Sequence, residues 1–159
     1  MTPEQVRHAL GHFATGVTVV TSVAADGQPV GTTASAVSSL SLDPPLLLVC
    51  LARTSSTLAA LRARRAFVIN VLAAQQRALS GHFARSGNTV SWAAIDHRAG
   101  VGGLPVLNGA LATLECELEQ FVEGGDHEIV VGRLRELEVA TGDVEPLLHY
   151  QGLYASLVP

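Results

Sequence analysis

The chain has 159 residues, 48% of them hydrophobic and 15% charged, which supplies a real core and excludes a disordered polymer. Its net charge is −4, and its ten basic residues, all Arg, are scattered apart from Arg62, Arg64 and Arg65, which excludes the basic face of a nucleic-acid binder. At this length one domain over residues 1–159 is expected, and the high apolar content favours an oligomer.

Thr2, Pro3 and Gln5 form a helix start: Thr2 caps, Pro3 suits the first helical position and Gln5 completes a capping box. Val6, Ala9, Leu10 and Phe13 follow at helical spacing, and Gly16 is the expected stop. Residues 17–23 are rich in β-branched side chains and predict a strand. The Asp26-Gly27 pair predicts a hairpin turn, and residues 30–37 the return strand. After Asp43-Pro44-Pro45, residues 46–51 predict a third, fully apolar strand. Ser55, Ser56 and Thr57 open a helix to about Arg65, residues 66–72 form a fourth strand, and residues 75–84 are helical. Residues 85–103, with Trp92 among them, predict a loop or flap.

Beyond the Asn108-Gly109 turn, Ala112, Leu114, Cys116 and Leu118 alternate with Thr113, Glu115, Glu117 and Glu119, the pattern of a half-buried strand. A turn at residues 124–126 precedes a long strand at residues 127–139, and residues 146–158 predict the last strand. Six to eight strands, two or three short helices and no βαβ rhythm give a mainly β protein, an antiparallel barrel with a few peripheral helices.

Cys50 and Cys116 form no CxxC and lie in apolar runs, so both are expected as buried free thiols. The N-terminus lacks the pattern of a signal peptide. The apolar run at residues 46–52 is far short of the ~20 residues of a membrane helix. A soluble, cytoplasmic protein without a membrane or nucleic-acid partner is therefore expected. No Rossmann GxGxxG, Walker loop, HExxH or GxSxG occurs. His8 and His12, one helical turn apart, lack a third ligand, so no metal is expected.

Three segments are candidates for chemistry. Residues 31–41 carry Thr32, Thr33, Ser35, Ser38, Ser39 and Ser41, small hydroxyls that leave the backbone approachable by a polar planar ligand. The alternative is an edge strand satisfying its own backbone. Arg53, Thr54, Ser55, Ser56 and Thr57 at a helix start suit a phosphate, or are an ordinary cap with a solvated Arg. His127, in Gly125-Asp126-His127, can sit at a barrel mouth or on a plain surface turn.

Six short motifs in order, FATGVTVVTS (13–22), GTTASAVSSLSLDPPLLLVCL (31–51), FVINVL (67–72), GHFA (81–84), GDHEIVVGRL (125–134) and LLHYQGLY (147–154), make the chain resemble the short flavin reductases of the split-barrel fold. Those enzymes are the reductase partners of two-component flavin-dependent monooxygenases. The resemblance implies a homodimer of antiparallel split β-barrels that passes hydride from NADH or NADPH to FMN or FAD. It implies reduced flavin leaving by diffusion to a separate monooxygenase. Thr32, Thr33, Ala34, Ser35, Ser38, Ser39 and Leu40 would line the flavin ring and ribityl chain. Arg53, Ser55, Ser56 and Thr57 would hold the phosphate. His82, Phe83 and Arg85 would reach the phosphate or adenylate end. His127 would stand beside the nicotinamide as the catalytic-site histidine, with Tyr150 closing that pocket. The scarcity of Arg near the nicotinamide position favours NADH. Two other readings stay open at this point: a flavin-binding storage or sensor protein without turnover, and a pyridoxamine-phosphate-oxidase-like oxidase.

Overall fold

The computed structural model describes residues 1–84 and 91–157. The capping box at Thr2 forms as expected and starts helix α1 (Pro3–Leu10). A two-residue strand, β1 (Thr15–Gly16), follows, and then the hairpin of β2 (Thr18–Val23) and β3 (Pro29–Ala34). Next come β4 (Val37–Leu42), β5 (Pro45–Ala52), α2 (Ser56–Arg64), β6 (Ala66–Val71) and α3 (Arg77–Phe83). Two short strands, β7 (His97–Ala99) and β8 (Pro105–Leu107), pair with each other. The chain closes with β9 (Ala112–Gly124), β10 (His127–Val139), β11 (Leu148–Tyr150) and β12 (Leu153–Ala155).

Seven strands make one antiparallel sheet in the order β3-β2-β6-β9-β10-β5-β4, and β1, β11 and β12 make a separate three-stranded sheet. The sheet wraps an inner core that includes Val20, Val49, Leu51, Phe67, Ile69, Cys116 and Val130, with Leu58 and Leu61 of α2 packed into it. A second cluster lies on the other face of β2 and joins Val19, Leu72, Phe83, Leu107 and Leu147. Alternating residues of β2 therefore point into two different cores, which explains its unbroken apolar run. Asn70 is fully buried and fully used: its Nδ2 donates to the Val19 carbonyl and to Thr21 Oγ1, and its Oδ1 accepts from the Leu107 amide. Gly132 makes room for the largest inner side chain, since a Cβ there would stand 2.4 Å from Phe67 Cζ.

The structure corrects several expectations. Helix α1 ends at Leu10, not near Gly16, because Thr15 and Gly16 are drawn into pairing with His149 and Leu148. Phe13, which continued the helical spacing, is 77% exposed. The return strand expected over residues 30–37 ends at Ala34, and a separate strand, β4, begins at Val37. The expected loop at 85–103 contains β7 and two short 3-10 turns among its described residues. The single last strand is a tight hairpin, β11–β12, turned by Gln151 and Gly152, both at positive φ. Twelve strands are present among the described residues, more than the six to eight expected. Cys116 is buried but Cys50 is only half-buried, because β5 alternates and sends Leu47, Val49 and Leu51 to the core. No described helix is long and apolar enough to cross a membrane.

Candidate active site

One cleft of about 840 Å³ opens between the β2–β3 hairpin, the end of β5, the start of α2 and the end of α3. Strand β3 is an edge strand, hydrogen-bonded only to β2, so the backbone groups along its other side are not taken up by a sheet partner. Thr32, Thr33, Ala34 and Ser35 line the cleft along this edge. Two threonine hydroxyls fix the edge from behind: Thr18 Oγ1 donates to the Ala34 carbonyl at 2.7 Å, and Thr33 Oγ1 to the Ser80 carbonyl at 2.7 Å.

Ser55, Ser56 and Thr57 line the same cleft from the N-terminus of α2. Ser55 occupies the N-cap position, yet its side chain makes no capping bond. Thr57 Oγ1 is buried without a hydrogen-bond partner, the one side-chain polar atom of that kind among the described residues. A buried hydroxyl left unpaired costs about 1–3 kcal/mol. Free amides, the positive end of the helix dipole and an unpaired hydroxyl together fit a phosphate group.

His127 lines the rim. It begins β10, where pairing with Ala52 on β5 and with Gly124 on β9 sets its place. Its Nδ1 lies 2.9 Å from Asp126 Oδ1, which leaves Nε2 as the free ring nitrogen. That hydrogen bond, with the charge of His127, holds the Asp126 carboxyl below its usual range. Phe83 and Trp92 close one side of the cleft, their rings meeting edge-to-face at 5.3 Å.

The remaining expected residues lie elsewhere. Ser38, Ser39 and Leu40 are exposed on β4 and do not line the cleft. Arg53 is beside α2, but its guanidinium is 3.2 Å from Glu123 and 4.0 Å from Glu128. Glu128 is buried and also receives Arg62 through both carboxylate oxygens. His82 is exposed, edge-on to Phe83. Tyr150 belongs to the three-stranded sheet, where it meets His12. Arg85 lies outside the described residues. The cleft takes in Thr54 of the expected helix-start segment, and also Asp26, Gln28, Cys50 and Trp92, which the residue pattern did not single out as site residues. The signal for Cys50 was its even-numbered place in β5, masked because every residue of that run is apolar.

A cleft lined by a hydroxyl-bearing sheet edge and a helix N-terminus, with aromatic rings and a histidine, has the chemistry to fit a flat, phosphate-bearing ligand. The chain matches the flavin reductase like domain over residues 10–157, and it belongs to that family. It is 45% identical to a probable flavin reductase of Rhizobium meliloti (strain 1021), over 86% of this chain and 43% of that protein. It is 39% identical to the reductase subunit HsaB of a flavin-dependent monooxygenase of Rhodococcus jostii (strain RHA1), over 99% of this chain and 79% of that one. The structure of the NADH:FAD oxidoreductase SgcE6 of Streptomyces globisporus C-1027 superposes with a TM-score of 0.91 at 34% identity, covering 100% of this chain and 97% of that chain. The chain thus spans less than half the length of the first of these relatives and about four-fifths of the second.

Proposed function

We propose that the chain is an NADH:flavin oxidoreductase, taking FMN or FAD as its flavin and supplying it in reduced form to a separate flavin-dependent monooxygenase. The observation that carries this reading is the unpaired, buried Thr57 hydroxyl at the α2 N-terminus, in the cleft that the open edge of β3 also lines. The family assignment and the activities of the relatives support it.

In this reading Ser55, Ser56 and Thr57 bind the flavin phosphate, and the edge at residues 32–35 lies along the flavin ring. Bound flavin supplies a hydride acceptor. The chain's task is then to hold that acceptor and the nicotinamide at near-attack distance, about 3–3.5 Å, which carries much of the rate. Backbone amides on the β3 edge would serve as hydrogen-bond donors toward the bound flavin ring. Phe83 and Trp92 exclude water from one side. His127, its Nδ1 tied to Asp126, orients the nicotinamide end through Nε2, since hydride transfer itself needs no proton from the protein. Ser38, Ser39, Leu40, His82 and Tyr150 lie outside the cleft and have no role within a single chain in this reading.

The proposal includes one domain, a barrel closed between the β3 and β4–β5 edges, and a homodimer. The dimer accounts for α1, which buries no residue of its own, and for the exposed Leu10, Phe13, Leu42 and Leu153. A cytoplasmic setting, where NADH is available, fits the same reading. The test is NADH absorbance in the presence of purified protein and catalytic FMN, repeated with FAD and with NADPH. NADH loss that requires added flavin supports the reading and ranks the cofactors. Flavin binding without NADH loss supports storage or sensing instead, and no flavin binding refutes the assignment of the cleft.

A further inference from the structure

The cleft edge is tied to a part of the fold that never reaches the cleft. The Ser80 carbonyl, in α3, accepts both the Ala84 amide at 3.1 Å and Thr33 Oγ1 at 2.7 Å. Ser80 is 1% exposed, and its own hydroxyl accepts from the Tyr154 phenol at 2.9 Å. Tyr154 sits on β12, in the three-stranded sheet. Its ring packs against the second core cluster, is capped by the Arg77 guanidinium at 4.8 Å, and meets His149 edge-on. A chain of contacts thus runs from the C-terminal hairpin through Tyr154 and Ser80 to Thr33 on the cleft edge.

The arrangement is specific to position. Thr33 has already spent its hydroxyl on α3, so it offers the cleft backbone rather than side chain. The depth of that backbone is then set by where α3 lies, because an edge strand has no second sheet partner to hold it. Helix α3 is only seven residues long and depends on tertiary contacts for its place. Its two ties to the cleft edge are the Thr33 bond and the Phe83 ring on Gly31, and the Tyr154 hydroxyl fixes it from the opposite side.

We infer that Ser80 and Tyr154 are positioning residues for the flavin: without touching it, they hold α3, and through Thr33 the β3 edge, at the spacing the ring requires. The inference rests on the proposed flavin cleft. The experiment compares wild type with Tyr154→Phe and Ser80→Ala, each of which removes a hydroxyl and keeps the packing. Flavin affinity is read by fluorescence titration, kcat and the KM values for flavin and NADH by turnover, and stability by Tm.

The expected result is a flavin Kd and KM raised about five- to tenfold in both variants, the size of one lost hydrogen bond. The KM for NADH, and kcat at saturating flavin, should stay within about twofold, and the double variant should be no weaker than either single one, as expected of one network. Unchanged flavin affinity in both variants overturns the inference. So does a loss that tracks a fall in Tm and affects NADH equally, which marks a purely structural role. Failure of wild type to bind flavin at all would instead overturn the proposed function.

Discussion

The ring of Phe83 lies so close to the backbone of Gly31 that a Cβ at position 31 would stand 2.8 Å from Cε1. Phe83 in turn meets Trp92, and both rings line the cleft. Gly31→Ala is expected to push Phe83 off the edge strand, destabilising the protein by about 1–3 kcal/mol. Flavin affinity should fall with it. Thermal unfolding and flavin titration check this together, and a variant with wild-type Tm and affinity would show that the ring yields without consequence.

Thr57→Val removes the unpaired hydroxyl and keeps the side-chain shape. The flavin-free protein should be as stable as wild type or up to about 1 kcal/mol more stable, because an unsatisfied buried group has gone. FMN affinity should fall about tenfold, the size of one charge-assisted hydrogen bond. Riboflavin, which has no phosphate, should bind both proteins equally. An equal loss for both ligands would move the phosphate away from the α2 N-terminus.

His127→Ala should raise the KM for NADH more than it lowers kcat. Steady-state kinetics at saturating flavin decide the matter. A fall in kcat of orders of magnitude at saturating NADH would give His127 a role in the chemistry instead of in orientation.

The two thiols should behave differently. Burial, with Glu115 nearby, pushes Cys116 from 9.0 up to about 12, so it stays protonated and inert at pH 8. Cys50 is half-buried and faces the cleft. Iodoacetamide should label Cys50 in the native protein and Cys116 only after unfolding, as peptide mass mapping would show, and bound flavin should slow labelling of Cys50. The sign of the pH effect follows from the raised value. Above pH 9.0 the unfolded chain releases the Cys116 proton and the folded chain keeps it, so stability is full below 9.0 and declines from there toward about 12. Cys116→Ala should remove that alkaline slope from urea titrations.

How much of this was legible in the residues differs by element. Strand β10 was expected over residues 127–139 and has those bounds, because Gly125 at positive φ turns the chain after Gly124 and the β-branched run Ile129, Val130 and Val131 follows. The Thr2 capping box was equally local and equally visible. Strand β4 was not, since its serines read as a polar exit and its strand character comes from pairing with β5. The β11–β12 turn was hidden because Gln151 at positive φ is an unusual choice for a tight turn. At the site, the hydroxyls on β3 and at α2 were readable as a group. The engagement of Arg53 by Glu123 and Glu128 was not, because Glu128 reaches it only through the β5–β10 pairing, and Glu123 only through the further pairing of β9 with β10.

The place of β6 between β2 and β9 has a consequence for how the protein comes into being. Val68 must find Thr21 on one side and Glu115 on the other, partners distant in the chain, before the large sheet is continuous. Such non-local closure makes folding slow compared with a chain of local hairpins. His127 reaches the cleft only by pairing across from Ala52, so a nascent chain released before β10 lacks that wall of the cleft. A ligand that binds only the finished cleft therefore favours the folded chain, and if that ligand is the proposed flavin, a cell short of it should hold less of the folded protein even at an unchanged rate of synthesis.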